Sequence, residues 1–221
     1  MDTIIGAVKN ACAGPFGAFY EAWIERERVA AVVGRLLWGI TTAPMYESMR
    51  DALAGAPAGA TIVDVPCGGG VAFRALGTKQ PARYLAVDID DAMLSRAGRR
   101  ARRLGLDQVA LIKADMRSLP LDDGSCDLCL SYSGLHMIPD PEAALAEMAR
   151  CLRSGGRIVG STFLSGGTRR KRLLFAMGEW TGHPAPHGAA ADLERRLRDA
   201  GFTEVDIRGD NAFVLFAGRK S

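Results

Sequence analysis

Asp64-Val65-Pro66-Cys67-Gly68-Gly69-Gly70 lies between an apolar run, Thr61-Ile62-Val63, and a helix-compatible stretch, Val71-Ala72-Phe73-Arg74-Ala75-Leu76. A strand, a glycine-rich turn and a helix in that order make a floor for a nucleotide-like ligand. Glycine lets the backbone turn sharply and approach the ligand without a Cβ clash. Many nucleotide folds share such a turn, so the downstream residues decide the reading. A second apolar run, Tyr84-Leu85-Ala86-Val87, ends in Asp88, twenty residues after Gly68. An acid at the end of a second strand is placed to accept both hydrogen bonds of a ribose diol. A third run, Val109 to Lys113, leads into Ala114-Asp115-Met116. A fourth, Cys126 to Tyr132, continues into Gly134-Leu135-His136, and a fifth, Arg157 to Phe163, comes after a Ser154-Gly155-Gly156 turn. Acids close the first three runs, so their carboxylates gather at one edge of a sheet, the carboxyl edge where open α/β sheets bind ligands.

Two cofactor classes compete for this pattern. A dinucleotide site opens its helix with Gly-x-Gly-x-x-Gly; Gly68 and Gly70 fit, but the third position is Phe73, too bulky for close helix–strand packing. The Asp88 spacing suits either class. Asp115 separates them, because it is placed to accept from an adenine amino group carried close to the third strand end.

With these motifs in register, the chain resembles the class I, seven-stranded S-adenosylmethionine-dependent methyltransferases, nearest the branch of quinone-biosynthesis and other small-molecule enzymes. The resembling stretches are Ile62 to Gly70, Leu85 to Leu94, Ala114-Asp115-Met116, Leu119 to Asp127, and Leu135-His136 through Arg157. Together they cover about residues 60–163 in the family's order. The resemblance implies a doubly wound α/β fold with a mostly parallel seven-stranded sheet, a C-terminal antiparallel hairpin and an N-terminal helical cap. It implies S-adenosylmethionine as cofactor and S-adenosylhomocysteine as product. Carried over by position, Asp64, Cys67, Gly68 and Gly70 line the methionine side, and Asp88 holds the ribose hydroxyls with Ile89 and Met93 near the adenine. Asp115 meets the adenine amino group, Met116 packs beside it, and Ser131 and Tyr132 border the transferred methyl. Pro66 departs from the family, which often has glycine there; lacking an N–H, it offers only its carbonyl.

Size and composition narrow the class. The chain has 221 residues, 48% of them hydrophobic, which suits one α/β domain with a full core. A net charge of +3 is too modest to imply a nucleic-acid partner. No run of 18 apolar residues occurs, which argues against a membrane span. The start, Met1-Asp2-Thr3-Ile4-Ile5-Gly6, lacks a basic signal-peptide region, so the expected compartment is the cytoplasm. Five cysteines (12, 67, 126, 129, 151) form no disulfide framework, and Cys126-x-x-Cys129 lies inside a strand pattern without a second pair at metal-ligand spacing. These read as buried thiols, and no metal is expected.

The chain divides into a helical cap over residues 1–55, a cofactor-binding core over 56–163, a substrate-side insertion over 164–188, and a final helix and hairpin over 189–221. In the cap, residues 19–38 read as an amphipathic helix carrying Trp23 and Trp38, and Pro44 starts another helix, Met45 to Ala54. The Arg169-Arg170-Lys171-Arg172 run and the arginines 96, 99, 100, 102 and 103 read as solvated helix faces. His183 and His187 flank prolines that forbid a helix aligning them for a metal. Glu204 to Ile207 and Phe213 to Phe216 flank a Gly209-Asp210-Asn211 turn, a hairpin foreign to a plain dinucleotide fold.

The expected chemistry is in-line methyl transfer to a small, partly apolar acceptor, with alignment and exclusion of water as the protein's contribution. His136 is the first candidate base for acceptors that must lose a proton, ahead of Tyr132 and His183. Glu147 and Arg150 form an i,i+3 ion pair. The rival readings are a cofactor-binding partner protein without activity and an NAD-linked oxidoreductase. Neither the acceptor nor the oligomeric state is written in these motifs.

Overall fold

Thr61–Asp64 is a short β-branched run of the kind that suits a strand covered on both faces, and it forms β1 in the middle of the sheet. This computed structural model describes residues 43–78, 82–166, 188–210 and 212–221. Around β1 the chain builds α1 (Ala43–Ala54), β2 (Arg83–Asp88), α2 (Asp91–Leu104), β3 (Val109–Lys113), β4 (Cys126–Tyr132) and α3 (Pro141–Cys151). It finishes with β5 (Leu152–Phe163), α4 (Ala190–Asp199), β6 (Phe202–Asp210) and β7 (Phe213–Lys220). The seven strands stand in the order β3-β2-β1-β4-β5-β7-β6. β1 to β5 run parallel, and β7 is antiparallel to both its neighbours, β5 and β6. This is the doubly wound sheet with a terminal antiparallel hairpin that the sequence predicts, the second hairpin strand being inserted next to β5.

From β1 the chain steps outward to β2 and β3, then returns to place β4 on the other side of β1. The strand order therefore reverses between β1 and β4, and a crevice opens beyond their carboxyl ends. Alternation of side chains across the sheet divides the core in two. On one face Val63, Leu85, Cys129 and Ile158 pack with Leu145 and Met148 of α3 and Leu193 and Leu197 of α4. On the other, Ile62, Tyr84, Leu130 and Val159 pack with Met45 and Leu53 of α1, Ala97 of α2, and Phe73. The same period sends Asp64, Asp88 and Tyr132 toward this second face.

Local chemistry fixes the helices that frame the crevice. The Asp90 carboxylate caps α2 by accepting from the Ala92 and Met93 N–H groups at 2.7 and 3.1 Å, and Gly105, at φ 65°, closes the helix. Asp140 caps α3 through the Ala143 N–H, with Pro141 in the first turn, where its missing N–H costs nothing.

Four expectations are corrected. The stretch after the glycine turn forms only a short 3-10 helix, Val71–Ala75, whose Leu76 is extended and donates its N–H back to Phe73. β5 starts at Leu152 rather than Arg157: Cys126 pairs with Leu152 and Leu128 with Arg157, so Ser154-Gly155-Gly156 is an irregularity inside the strand. The hairpin strands extend well beyond Glu204–Ile207 and Phe213–Phe216, because the pairing continues to Phe202 and Lys220. Arg100 is 4% exposed and belongs to the covered side of α2, next to Ala97 and Ala101, not to its wet face. The predicted helix over 19–38 with Trp23 and Trp38, Cys12, the basic run 169–172, His183, His187 and Asn211 lie outside the described residues.

Candidate functional site

The 65–70 turn leaves β1 at the crevice, its first N–H, from Val65, still pairing with Leu130 of β4 at 2.9 Å. Two of its glycines serve different needs. Gly68 sits at φ 52°, and a Cβ there would meet nothing within 4 Å among the described residues. Gly70 sits at φ 78°, and a Cβ there would lie 2.5 Å from the Phe73 ring. Phe73, fully buried, thus fills the room beneath the turn, where a dinucleotide fold would have its third glycine.

The three strand-end acids have distinct surroundings. Asp88 is 6% exposed; its Oδ2 accepts from the Gly68 N–H at 2.8 Å and its Oδ1 from the Asp90 N–H at 3.0 Å. Burial raises its pKa, and these two backbone donors pull against that rise. The carboxylate therefore ties the glycine turn to the start of α2 while keeping lone pairs for further donors. Asp64 is almost fully buried, and its Oδ2 accepts from the Tyr84 hydroxyl at 2.8 Å. Burial, with the nearby Asp88 charge adding to it, pushes Asp64 up to about 7 against the lowering effect of the Tyr84 hydrogen bond. Asp115 is half-buried beyond β3, and Arg117 forks onto both its oxygens, at 3.0 and 2.6 Å, which holds its carboxyl below the usual range.

The remaining predicted residues line the same edge at different depths. Pro66 and Ile89 are half-buried, whereas Cys67, Met93 and Met116 are buried. The Cys67 thiol is pushed well up by burial and by the Asp64 and Asp88 charges, so it stays neutral. Ser131 and Tyr132 leave opposite faces of β4. Ser131 is fully buried, and its hydroxyl has no hydrogen-bond partner among the described residues. The Tyr132 hydroxyl lies 3.0 Å from Ser48 Oγ of α1, which joins the helical cap to the strand, and burial raises its pKa. Ser133 adopts φ 56° and its N–H reaches the Ser161 carbonyl at 2.8 Å. His136, half-buried on the short turn Leu135–Met137, meets Phe163 edge-on at 4.8 Å, and Phe163 meets Phe213 at 5.0 Å. These rings form an aromatic wall at the carboxyl end of β5. Glu147 and Arg150 pair at 2.8 Å as predicted, and Arg150 also reaches the Leu119 and Leu121 carbonyls and Asp123, stapling the loop before β4. Among the described residues no cluster of ligating side chains suits a metal, and no helix is long and apolar enough to cross a membrane.

Sequence reasoning misses Tyr84, Arg117 and Ser48. Tyr84 was recoverable in principle: Asp64 pairs with Ala86, so Tyr84 is its diagonal neighbour on the same face.

Residues 63–160 match the family described as "Methyltransferase domain". The chain is 31% identical over 200 residues to the malonyl-[acyl-carrier protein] O-methyltransferase of Methylococcus capsulatus, covering 88% of this chain and 71% of that protein. It is 29% identical over 171 residues to the 27-O-demethylrifamycin SV methyltransferase of Amycolatopsis mediterranei, covering 74% of this chain and 56% of that one. The crystal structure of geranyl diphosphate C-methyltransferase from Streptomyces coelicolor, in complex with S-adenosyl-L-homocysteine, shares the fold with a TM-score of 0.68 at 19% identity, over 81% of this chain and 76% of that one. The chain belongs to the class I S-adenosylmethionine-dependent methyltransferases. It spans about half the length of some curated relatives it matches, 47% and 56% in two cases.

Proposed function

We propose that this chain transfers the methyl group of S-adenosylmethionine to a small, partly apolar acceptor. The observation that carries the reading is the convergence of Asp64, Asp88 and the 65–70 turn at the switch point, with space beside Gly68 that no described residue fills. That space and the donor set suit the cofactor: carboxylates for hydroxyls and amines, a left-handed glycine for close approach, and Ile89, Met93 and Met116 as an apolar bed for the adenine. When bound, the cofactor would supply a methyl activated by its sulfonium, which an in-line acceptor would take as the carbon–sulfur bond breaks and S-adenosylhomocysteine leaves. Asp88 keeps lone pairs for the ribose diol, Asp64 and Cys67 face the methionine part, and Pro66 contributes its carbonyl. Asp115, already forked by Arg117, accepts from the adenine amino group with the lone pairs that remain.

His136, Phe163 and Phe213 supply the wall against which the acceptor is held, and His136 brings to it the imidazole that is the candidate base. Tyr132 is a poorer base, because burial keeps its phenol protonated. The malonyl, rifamycin and geranyl methyltransferases carry chemically unlike acceptors in their names, so acceptor identity belongs to the parts of the chain outside the shared core.

Incubation with methyl-labelled S-adenosylmethionine and a panel of phenolic, carboxylic and isoprenoid acceptors tests the proposal. Labelled product, with S-adenosylhomocysteine released in equal amount, is the expected result. Cofactor binding without product across the panel would favour a partner protein that kept the fold, and nicotinamide bound in place of the sulfur cofactor would favour the oxidoreductase.

A further inference from the structure

The fully buried contact between Tyr84 and Asp64 has a geometry that a structural core does not require. Tyr84 is 0% and Asp64 2% exposed, and the Tyr84 hydroxyl donates to Asp64 Oδ2 at 2.8 Å. Beneath them, Phe73 meets the Tyr84 ring edge-on at 5.4 Å and an interplanar angle of 88°. Phe73 in turn occupies the place that any side chain at Gly70 would need. Gly70, Phe73, Tyr84 and Asp64 therefore form one packed column from the turn down to the strand-end acid. An apolar aromatic would fill the volume at position 84; only the hydroxyl requires tyrosine.

We propose that Tyr84 is a positioning residue of the cofactor site, acting through Asp64: its phenol fixes one oxygen of the carboxyl and stabilises the anionic form that receives a cationic cofactor. This rests on the methyltransferase reading and specifies how its binding site is tuned. Among the described residues, the groups around Asp64 are neutral or acidic. β2 brings Tyr84 and Asp88, the glycine turn brings the Cys67 thiol, and β4 brings Tyr132, with Cys129 behind it on the opposite face; burial raises each of them, and the Asp64 charge adds to the rise of all but Asp88. With no cation of the described residues among the causes that set its titration, Asp64 rises to about 7, and Tyr84 opposes the rise. S-adenosylmethionine carries an ammonium and a sulfonium, both of which favour the ionised carboxylate over the protonated one. Binding should then strengthen as pH rises through neutrality.

The test is calorimetric titration of S-adenosylmethionine, from pH 6 to pH 8.5, into wild type, Tyr84→Phe and Asp64→Asn. Asp64→Asn retains the titration of the ligand's own amine, so the difference between it and wild type isolates the carboxyl. In that difference, wild-type affinity should fall by on the order of tenfold between pH 8 and pH 6. In Tyr84→Phe the midpoint should move to higher pH, because the donor that favours the anion is gone. Site-specific 3-fluorotyrosine at position 84, a stronger donor that keeps the ring and hydroxyl, should move it to lower pH and decides the matter even where Tyr84→Phe does not fold. A uniform loss of affinity with an unmoved midpoint would make Tyr84 merely structural and overturn the inference, as would a wild-type profile parallel to that of Asp64→Asn. Absence of binding at every pH would instead remove the methyltransferase reading itself.

Discussion

Asp64 and Asp88 end neighbouring strands, yet their surroundings set them different tasks. Asp88 is held by backbone donors from the turn and from α2, whereas Asp64 relies on a phenol and sits near its own titration point. That difference sets the sign of the stability linkage. The Asp64 pKa in the folded protein, about 7, lies above its ordinary 3.8, so its protonated form contributes stability that is complete below about pH 3.8 and lost as pH rises through 7. Between pH 5 and pH 8 the cofactor-free wild type should lose on the order of 2–3 kcal/mol more than Asp64→Asn. Urea unfolding of both proteins at the two pH values measures this, and equal losses would contradict it. At this scale the acids were legible because each closes an apolar run. Tyr84 and Arg117 were not: a tyrosine at the head of a strand reads as core until the register brings it diagonal to Asp64, and an arginine two residues past an acid reads as solvent-facing.

Among the elements, the turn after β1 and the loop after β4 are fitted to each other. A Cβ on Gly134 would overlap Cδ of Pro66, so the proline in the turn is accommodated by a glycine across the switch point. Gly134 has φ −107°, which any residue adopts, so the constraint is the approach of the ring and not the backbone. Gly134→Ala should destabilise the protein by about 1–3 kcal/mol, and Pro66→Ala in the same chain should recover most of that loss. Thermal or urea unfolding of the two single variants and the double variant checks the coupling; simply additive losses would mean that the two loops do not restrain each other. The runs that became β1 to β4 were readable from hydrophobicity and their terminal acids. The 3-10 helix and the early start of β5 were not, since the first depends on how Gly70 closes over Phe73 and the second on where β4 offers free pairing groups.

For the whole molecule, the decisive property is the strand order. Nothing in the periodicity of one strand says that β4 returns beside β1 or that β7 enters between β5 and β6; the order became an expectation only through several motifs matching one family in register. That order brings the glycine turn, Asp88, Tyr132 and His136 to a single edge, while residues 1–55 and 164–188, least constrained by motif, are where acceptor specificity is expected to reside. Cofactor recognition by the shared core is the central claim, and titration calorimetry with S-adenosylmethionine, S-adenosylhomocysteine and NAD on wild type and Asp88→Asn tests it most directly. Both sulfur cofactors should bind and NAD should not. Asp88→Asn should weaken them by at least about tenfold, since a charge-assisted contact to the ribose is worth on the order of 2 kcal/mol. Binding of NAD alone, or sulfur-cofactor affinities untouched by Asp88→Asn, would contradict the claim.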